Sequence, residues 1–120
     1  MGSTGRIGEE IAAAWLGRRG LRVIGRNWRA GRGEIDIVAS EGRTIVFVEV
    51  KTRRLGPGGR PGEAVDRRKR RVLTRAAGAW IAAHPGTGGA FRFDVVEVTL
   101  AAGGPPLVDH WPDAFAADAT

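Results

Sequence analysis

Residues 33–53 read GEIDIVASEGRTIVFVEVKTR, and the stretch contains two strand-like segments separated by a short turn. Glu34–Ala39 and Thr44–Thr52 are rich in isoleucine and valine, which favour strands. Ser40–Arg43 contains a serine and a glycine and supplies the turn. Both segments also carry acidic residues, although acids are rarely buried. The stretch therefore predicts two antiparallel strands with charged groups at positions where apolar residues are expected.

The first of these strands is predicted to present its acids on one face. Side chains alternate across a strand, so Glu34 and Asp36 are expected to share a face and Ile35 and Ile37 to share the other. Asp36 is a candidate metal ligand. For Glu34 the pattern leaves two readings open, a turn or supporting role beside the site and a second metal or water contact.

The second strand carries Glu49 and Lys51 two residues apart, and they are therefore expected on a common face. If the two strands are neighbours, Asp36, Glu49 and Lys51 can converge at one end of the sheet. Mg²⁺ prefers carboxylate oxygens and water, and such an ion can neutralise charge that develops on a phosphodiester. Lys51 beside an attacking water can lower the pKa of that water or stabilise the pentavalent phosphate. The alternative is an ion pair on a solvated face of the sheet.

The rest of the chain predicts an α-β-β-β-α-β order in a single domain over residues 1–120, with a C-terminal tail that frays from about residue 116. The apolar spacing of the first segment is typical of an amphipathic helix, and the last strand-like segment near Leu107–Trp111 is left open as a fifth strand. The elements beyond the central pair are a helix over Gly5–Arg18, a strand over Leu21–Trp28, a helix over Glu63–Ala83 and a strand over Phe91–Leu100.

Charge and composition narrow the class of partner. The chain has 120 residues and a net charge of +6, and residues 51–75 hold 10 basic and 2 acidic groups. This concentration favours a polyanionic partner, most simply nucleic acid, with a coding bias toward arginine as the alternative. The absence of cysteine excludes disulfides, thiolate metal sites and a cysteine nucleophile. No segment is apolar enough for a membrane span or a signal peptide, so we expect a cytoplasmic protein without membrane contact.

Nine arginines are predicted to contact the phosphate backbone of DNA, because they lie near the first turn, on the second helix or in the glycine-rich loop after the central strands. Such contacts give affinity and not sequence specificity. The residues are Arg29, Arg32, Arg53, Arg54, Arg60, Arg67, Arg68, Arg70 and Arg71. The loop over residues 56–62 is interpreted as a flap beside the DNA, with a plain linker as the alternative.

The ordered set GRIGEEIAAAWL, GLRVIGRNWR, GEIDIVA, VFVEVKTR, the segment Glu63–Lys69 and FRFDVVEV resembles the YraN-like family, also called UPF0102. These endonuclease-like proteins are related to archaeal Holliday junction resolvases. The stretch from Asp36 to the Glu49-x-Lys51 pattern 13 residues later looks like the split motif of the PD-(D/E)xK nuclease superfamily. Ile35 stands where that motif has proline. For Asp94, within FRFDVVEV, pairing with Arg92 or a strand neighbour is expected.

The resemblance implies a restriction-endonuclease-like αβββαβ core, an α/β fold with a mixed central sheet flanked by helices. It also implies a metal site for Mg²⁺ or Mn²⁺, held by Asp36, Glu49 and the backbone carbonyl of Val50, with Glu9 reaching the metal directly or through water. Lys51 would be the catalytic lysine and Lys69 a supporting residue. The chain has 17 arginines and only these two lysines, so both lysines fall on motif positions.

The function that these residues predict is a metal-dependent DNA endonuclease, with branched DNA as a substrate by analogy with resolvases. Cutting a junction requires two active sites, so we expect a homodimer. The alternative function is a nucleic-acid-binding or adaptor module that retains the nuclease fold with weak or no catalysis.

Overall fold

The computed structural model describes residues 3–54 and 66–117. The elements follow the predicted order, with the fifth strand present. They are α1 Ser3–Arg18, β1 Arg22–Ala30, β2 Gly33–Glu41, β3 Thr44–Arg54, α2 Arg67–Ala83, β4 Ala90–Leu100 and β5 Leu107–Phe115. Within the described ranges, no helix has the length and apolarity needed to cross a membrane. The glycine-rich loop 56–62, Arg60, residues 63–65 of the predicted helix and residues 118–120 of the predicted tail lie outside those ranges.

The five strands form one sheet in the order β1-β2-β3-β4-β5. The three neighbouring pairs β1–β2, β2–β3 and β4–β5 are antiparallel, and β3 pairs with β4 in parallel. The parallel pair follows from the chain between them, because parallel neighbours require a long crossover and α2 lies in that crossover. The mixed α/β architecture with a restriction-endonuclease-like core is thus confirmed.

One apolar cluster lies on each face of the sheet, and each is closed by one helix. On the first face α1 contributes Ala12, Ala13 and Leu16, which pack on β-branched residues of the central strands. On the opposite face α2 contributes Leu73 and Trp80, and Trp80 meets Phe47 edge to face at 5.7 Å between ring centroids. The sheet is therefore buried on both sides, which explains why β3 is apolar through four consecutive buried positions before it reaches Glu49.

The helix predicted over Glu63–Ala83 begins later than expected, at Arg67. Asp66 is its N-cap, and the Asp66 carboxylate accepts a hydrogen bond from the backbone N–H of Lys69 at 2.8 Å. A capping aspartate lies outside the helix because its extended backbone frees the side chain to satisfy an amide of the first turn. Lys69 is consequently fixed in the first turn of α2.

The regular alternation expected along β2 is wrong at Asp36. Ile35 is buried in the cluster beneath α2, whereas Ile37 is buried in the cluster beneath α1. The two isoleucines therefore occupy opposite faces, not the same one. On the neighbouring strand Asn27 has a left-handed backbone with φ 50°, and the β2–β3 pairing ends at Ile37, opposite Val48. Both irregularities free the backbone around Asp36 from the pleat that alternation requires.

A buried polar network attaches β5 to the sheet. Asp94 is fully buried, and its carboxylate accepts two hydrogen bonds from the Arg92 guanidinium, at 2.9 and 3.1 Å. The expected pairing with Arg92 is thus confirmed. Asp94 also meets Nε2 of His110 at 2.8 Å and accepts the backbone N–H of Asp113 at 2.9 Å. A buried carboxylate with these partners is structural, because each acceptor position is occupied.

Close packing of α2 on the sheet depends on Gly33, the first residue of β2. A Cβ at Gly33 would lie 3.0 Å from both Cγ1 and the carbonyl oxygen of Val72, and 3.1 Å from Cβ of Ala76. Glycine at this position lets the helix backbone approach the strand. By contrast, a Cβ at Gly78 on the outer side of α2 would meet nothing within 4 Å.

Gly33→Ala and Gly78→Ala are expected to change stability in opposite directions. The first adds an atom to a filled contact and should lower the free energy of unfolding by about 1–3 kcal/mol. The second removes backbone freedom from a helix interior and should raise it by about 0.5–1 kcal/mol. Urea denaturation of both variants measures the difference, and equal shifts would contradict the packing role of Gly33.

Candidate active site

Asp36 lies where β2 separates from β3, and its side chain takes over the role of a strand partner. The last β2–β3 pair joins Ile37 and Val48. Beyond it, Oδ2 of Asp36 accepts a hydrogen bond from the backbone N–H of Val50 at 2.8 Å. The carboxylate is thereby held between the two strands, and the charged end of β3 is fixed relative to β2.

The side chains of Asp36 and Glu49 are hydrogen-bonded to each other. Burial raises the pKa of Asp36 from 3.8 to about 8, with the negative charges of Glu49 and Glu9 adding to the rise and the Val50 N–H opposing it. The folded protein therefore keeps the proton of Asp36 to a higher pH than the unfolded chain does. Two carboxylates brought together in this way are typical of sites that bind a cation or work as an acid and base.

Lys69 balances the charge of Glu49 from the opposite helix. Nζ of Lys69 lies 3.4 Å from Oε2 of Glu49, which is only 8% exposed. The Asp66 cap determines the place of Lys69 at the start of α2. The structure therefore brings Lys69, one of the sequence-predicted residues, into direct contact with a predicted metal ligand.

Glu9 is held by Asn27, a residue that the sequence analysis missed. The Asn27 side-chain amide donates to Oε1 of Glu9 at 2.9 Å. The pairs Arg26–Ile37 and Trp28–Ile35 place Asn27 opposite Asp36 in the β1–β2 register. Its positive φ is the signal that points to it, because asparagine is among the few non-glycine residues that tolerate this conformation and such residues concentrate at functional sites.

The approach of α1 to β3 depends on Gly8, which precedes Glu9. A Cβ at Gly8 would overlap the whole side chain of Thr52 on β3. Glycine at position 8 therefore allows the first turns of α1 to lie against the charged end of β3. This contact explains why residue 8 is glycine, and it sets the distance of Glu9 from the sheet.

Lys51 and Val50 occupy the last part of β3. Val50 packs partly buried against the cluster beneath α1. Lys51 is half-buried and lies opposite Glu97 in the parallel β3–β4 pairing. The ammonium group of Lys51 forms no ion pair with any residue that the structure describes, and it is available to a ligand at this end of the strand.

The carboxylates supply donors of the kind that a divalent cation prefers, but they do not form a preassembled cage. Within residues 3–54 and 66–117, no three acidic or histidine side chains stand in metal-binding geometry. The Asp36–Glu49 pair offers oxygen ligands, while Glu9 is turned toward Asn27.

The predicted DNA-contacting arginines divide into two groups. The first group contains three arginines that contact an acid or an aromatic ring of the protein. Arg29 pairs with Glu34 at 3.4 Å and Arg53 with Glu97 at 3.3 Å. Arg70 lies over the ring of Phe115 at 5.5 Å. Glu34, for which a metal role was left open, is thus engaged by Arg29.

The other group lies toward solvent. Arg54 is exposed at the end of β3, and Arg67 is exposed at the start of α2. Three further arginines line a groove between α2 and the β1–β2 turn together with Arg75, which the sequence analysis did not single out. These three are Arg32, Arg68 and Arg71.

Fold and site together define a mixed α/β protein with a restriction-endonuclease-like core and a partly buried carboxylate pair where β2 separates from β3. The profile of the uncharacterised protein family UPF0102 matches residues 8–98. The chain belongs to this family, as the sequence analysis predicted. It is 48% identical over 114 residues to a UPF0102 protein of Anaeromyxobacter dehalogenans, covering 95% of this chain and 84% of the relative.

Two further relatives show the same extent of similarity. A UPF0102 protein of Beutenbergia cavernae is 47% identical over 88% of this chain and 90% of its own length. A UPF0102 protein of Geobacter metallireducens is 44% identical over 94% of this chain and 92% of its own length. The residues that the family profile matches, 8–98, include Glu9, Asp36, Glu49 and Lys69.

Asp36→Asn is expected to stabilise the metal-free protein in alkaline solution. The folded-state pKa of about 8 exceeds the ordinary 3.8, so the folded protein keeps a proton that the unfolded chain releases, and wild-type stability falls as pH rises between these values. Asparagine keeps an acceptor for Val50 and has no proton to lose. Urea denaturation in EDTA at about pH 8.5 should show a gain on the order of 2–4 kcal/mol.

The gain from Asp36→Asn should be smaller at about pH 5. The stability of the wild type falls between about pH 3.8 and pH 8, and only the first part of that fall has occurred at pH 5. Asp109→Asn, at an exposed position of β5, is the matched control and should show no comparable change. An identical gain from Asp36→Asn at both pH values would contradict the pKa assignment.

Asn27→Gly and Asn27→Ala separate the backbone role of Asn27 from that of its side chain. Both variants lose the hydrogen bond to Glu9, but only alanine is strained in the left-handed conformation. Asn27→Ala should therefore be less stable than Asn27→Gly by about 1 kcal/mol. Thermal and urea unfolding test this order, and equal stability of the two variants would show that the conformation carries no strain.

Proposed function

We propose that this protein is a metal-dependent endonuclease that hydrolyses phosphodiester bonds in DNA. The observation that carries the proposal is the hydrogen-bonded pair of Asp36 and Glu49, which is held at the edge of two strands in a chain with net charge +6. Keeping two acids together in a half-buried place costs stability, as the raised pKa of Asp36 indicates. Proteins retain such costs at functional sites.

The donor set fits Mg²⁺ or Mn²⁺, which prefer a few carboxylate oxygens and keep several waters. Asp36, Glu49 and the backbone carbonyl of Val50 would hold the ion, with Glu9 acting directly or through water. When bound, the ion supplies Lewis-acid stabilisation of the phosphate and lowers the pKa of a coordinated water. The hydrogen bond between Asp36 and Glu49 is the contact that a bound cation would replace.

The surrounding residues have separate tasks in this proposal. Lys69 orients Glu49 through their ion pair, and Asn27 orients Glu9 through its amide. Both are positioning residues, because they act through another side chain. Lys51 would touch the reacting phosphate or its attacking water, since it follows Glu49 on β3 and its ammonium has no acid partner within the described part of the chain.

A nucleic-acid-binding or adaptor module is the second candidate, and one observation favours it. The two carboxylates satisfy each other by a hydrogen bond in the protein alone, so the site is closed without a cation. A protein that binds DNA without cutting it would need no more than this arrangement and its basic surface.

Cleavage by the purified protein distinguishes the two candidates. Labelled duplex, single-stranded, flapped and four-way-junction DNA are incubated with Mg²⁺ or Mn²⁺, and products are resolved by electrophoresis. The endonuclease proposal predicts cuts that require the ion. Asp36→Asn and Lys51→Ala should each lose at least about 100-fold in rate, because each removes a group that acts in the transition state.

Two controls make the result decisive. Asp109→Asn makes the same change of side chain as Asp36→Asn, but away from the site, and should cut like the wild type. Equal cleavage by Asp36→Asn would reveal a contaminating nuclease. Mg²⁺ should also raise the melting temperature of the wild type and leave that of Asp36→Asn unchanged. DNA binding without cleavage or a Mg²⁺ shift would favour the binding module.

A further inference from the structure

A groove of about 640 Å³ runs between α2 and the turn that joins β1 to β2. Arg32 projects from the turn, and Arg68, Arg71 and Arg75 project from the helix. Its floor is formed by small and apolar residues, including Gly33 and Val72. Gly33 and Val72 are in close contact at the bottom of the groove. The four arginines line the groove around them.

The three helical arginines occupy one face of α2. Positions 68, 71 and 75 are separated by three and four residues, the spacing that stacks side chains along a helix. Seven residues of helix span about 10 Å. Phosphates of one strand of duplex DNA follow each other every 3.4 Å along the axis, so this row matches about three of them.

Within residues 3–54 and 66–117, the groove arginines form no ion pair with an acid, and this distinguishes them from several other arginines of the protein. Arg26, Arg29, Arg53 and Arg92 all form ion pairs with acids. None of the four groove arginines does so with any residue that the structure describes. Four like charges along one channel repel each other unless an anion lies between them, and an arginine fork matches a phosphate group in shape as well as charge.

The groove also begins beside the candidate active site. Arg68 is followed in the chain by Lys69, whose ammonium group lies 3.4 Å from Glu49. On the strand side, Gly33 and Asp36 are three residues apart, or roughly 10 Å along β2. The groove therefore leads away from the carboxylate pair on the α2 face of the sheet.

We infer that this groove binds the sugar–phosphate backbone of DNA over about three phosphates to one side of the position that is cut. The inference rests on the proposed function, because it specifies where that substrate lies. An isolated phosphate or a mononucleotide would engage only one end of the row. A strand of DNA would engage all four arginines and continue from the groove toward the Asp36–Glu49 pair.

Fluorescence anisotropy in EDTA tests the groove apart from catalysis. The probe is a fluorescein-labelled DNA duplex of about 20 base pairs, titrated at salt concentrations between about 50 and 200 mM. Arg68→Gln/Arg75→Gln should weaken binding roughly tenfold or more and reduce the slope of log affinity against log salt by about 1.8, since two phosphate contacts are lost. Glutamine retains the helix propensity, so α2 should remain folded.

Arg18→Gln/Arg22→Gln is the matched control, because both residues are exposed and lie outside the groove. It removes the same charge and should change the affinity less than threefold. Arg68→Lys/Arg75→Lys restores the charge and should recover most of the salt slope, with the melting temperature reporting the fold of each variant. Equal losses in the groove and control variants would overturn the inference.

The outcomes also separate this inference from the proposed nuclease. If the groove variant loses binding but no DNA is cut by the wild type, the groove stands and the nuclease proposal fails. If the wild type cuts DNA and the groove variant binds and cuts equally well, the groove inference alone fails.

Discussion

The hydrogen bond from the Val50 amide to the Asp36 carboxylate is the interaction on which the site depends. In an ordinary ladder that amide would bond to a backbone carbonyl of the neighbouring strand. Here a side chain accepts it, at 2.8 Å, so β2 can leave β3 without abandoning a buried donor. The same hydrogen bond therefore allows the strands to separate and satisfies the backbone amide of Val50. The Asp36 carboxylate lies between the two strands, and its burial is the main cause of its raised pKa.

Around the Asp36 carboxylate, α1, β1 and α2 each position one further polar side chain, and each does so through a different interaction. Van der Waals contact of Gly8 with Thr52 sets the distance of α1, and therefore of Glu9, from the sheet. A left-handed backbone turns the Asn27 amide toward Glu9. A helix cap fixes the start of α2 and with it the ion pair of Lys69 with Glu49. None of these contacts is strong alone. Together they hold like charges close to one another inside a protein whose two apolar clusters lie beyond them.

The order of the elements and the mixed fold could be predicted from the sequence, because apolar periodicity and turn residues act locally. The faces of Ile35 and Ile37 could not, since the break in alternation at Asp36 depends on a bond to a residue 14 positions away. Glu9, Asp36, Glu49 and Lys69 were identified, but Asn27 was not, because only its backbone conformation distinguishes it. Nor does composition reveal that Arg29 and Arg53 face acids while Arg68 and Arg75 face a groove, as this sorting arises only when strands and helix are packed.

The Asp66 cap has a consequence for how the second helix is oriented. Each residue of an α-helix advances about 100° around the axis, so the residue at which the helix starts determines the angular phase of every side chain on it. One phase supplies Leu73 and Trp80 to the interior, another supplies Lys69 to Glu49, and a third directs arginines outward. A single-residue insertion between Asp66 and Lys69 would rotate these assignments together. The core packing, the ion pair with Glu49 and the outward arginines therefore all depend on the residue at which the helix starts. The sequence around the first turn of α2 is constrained by all three.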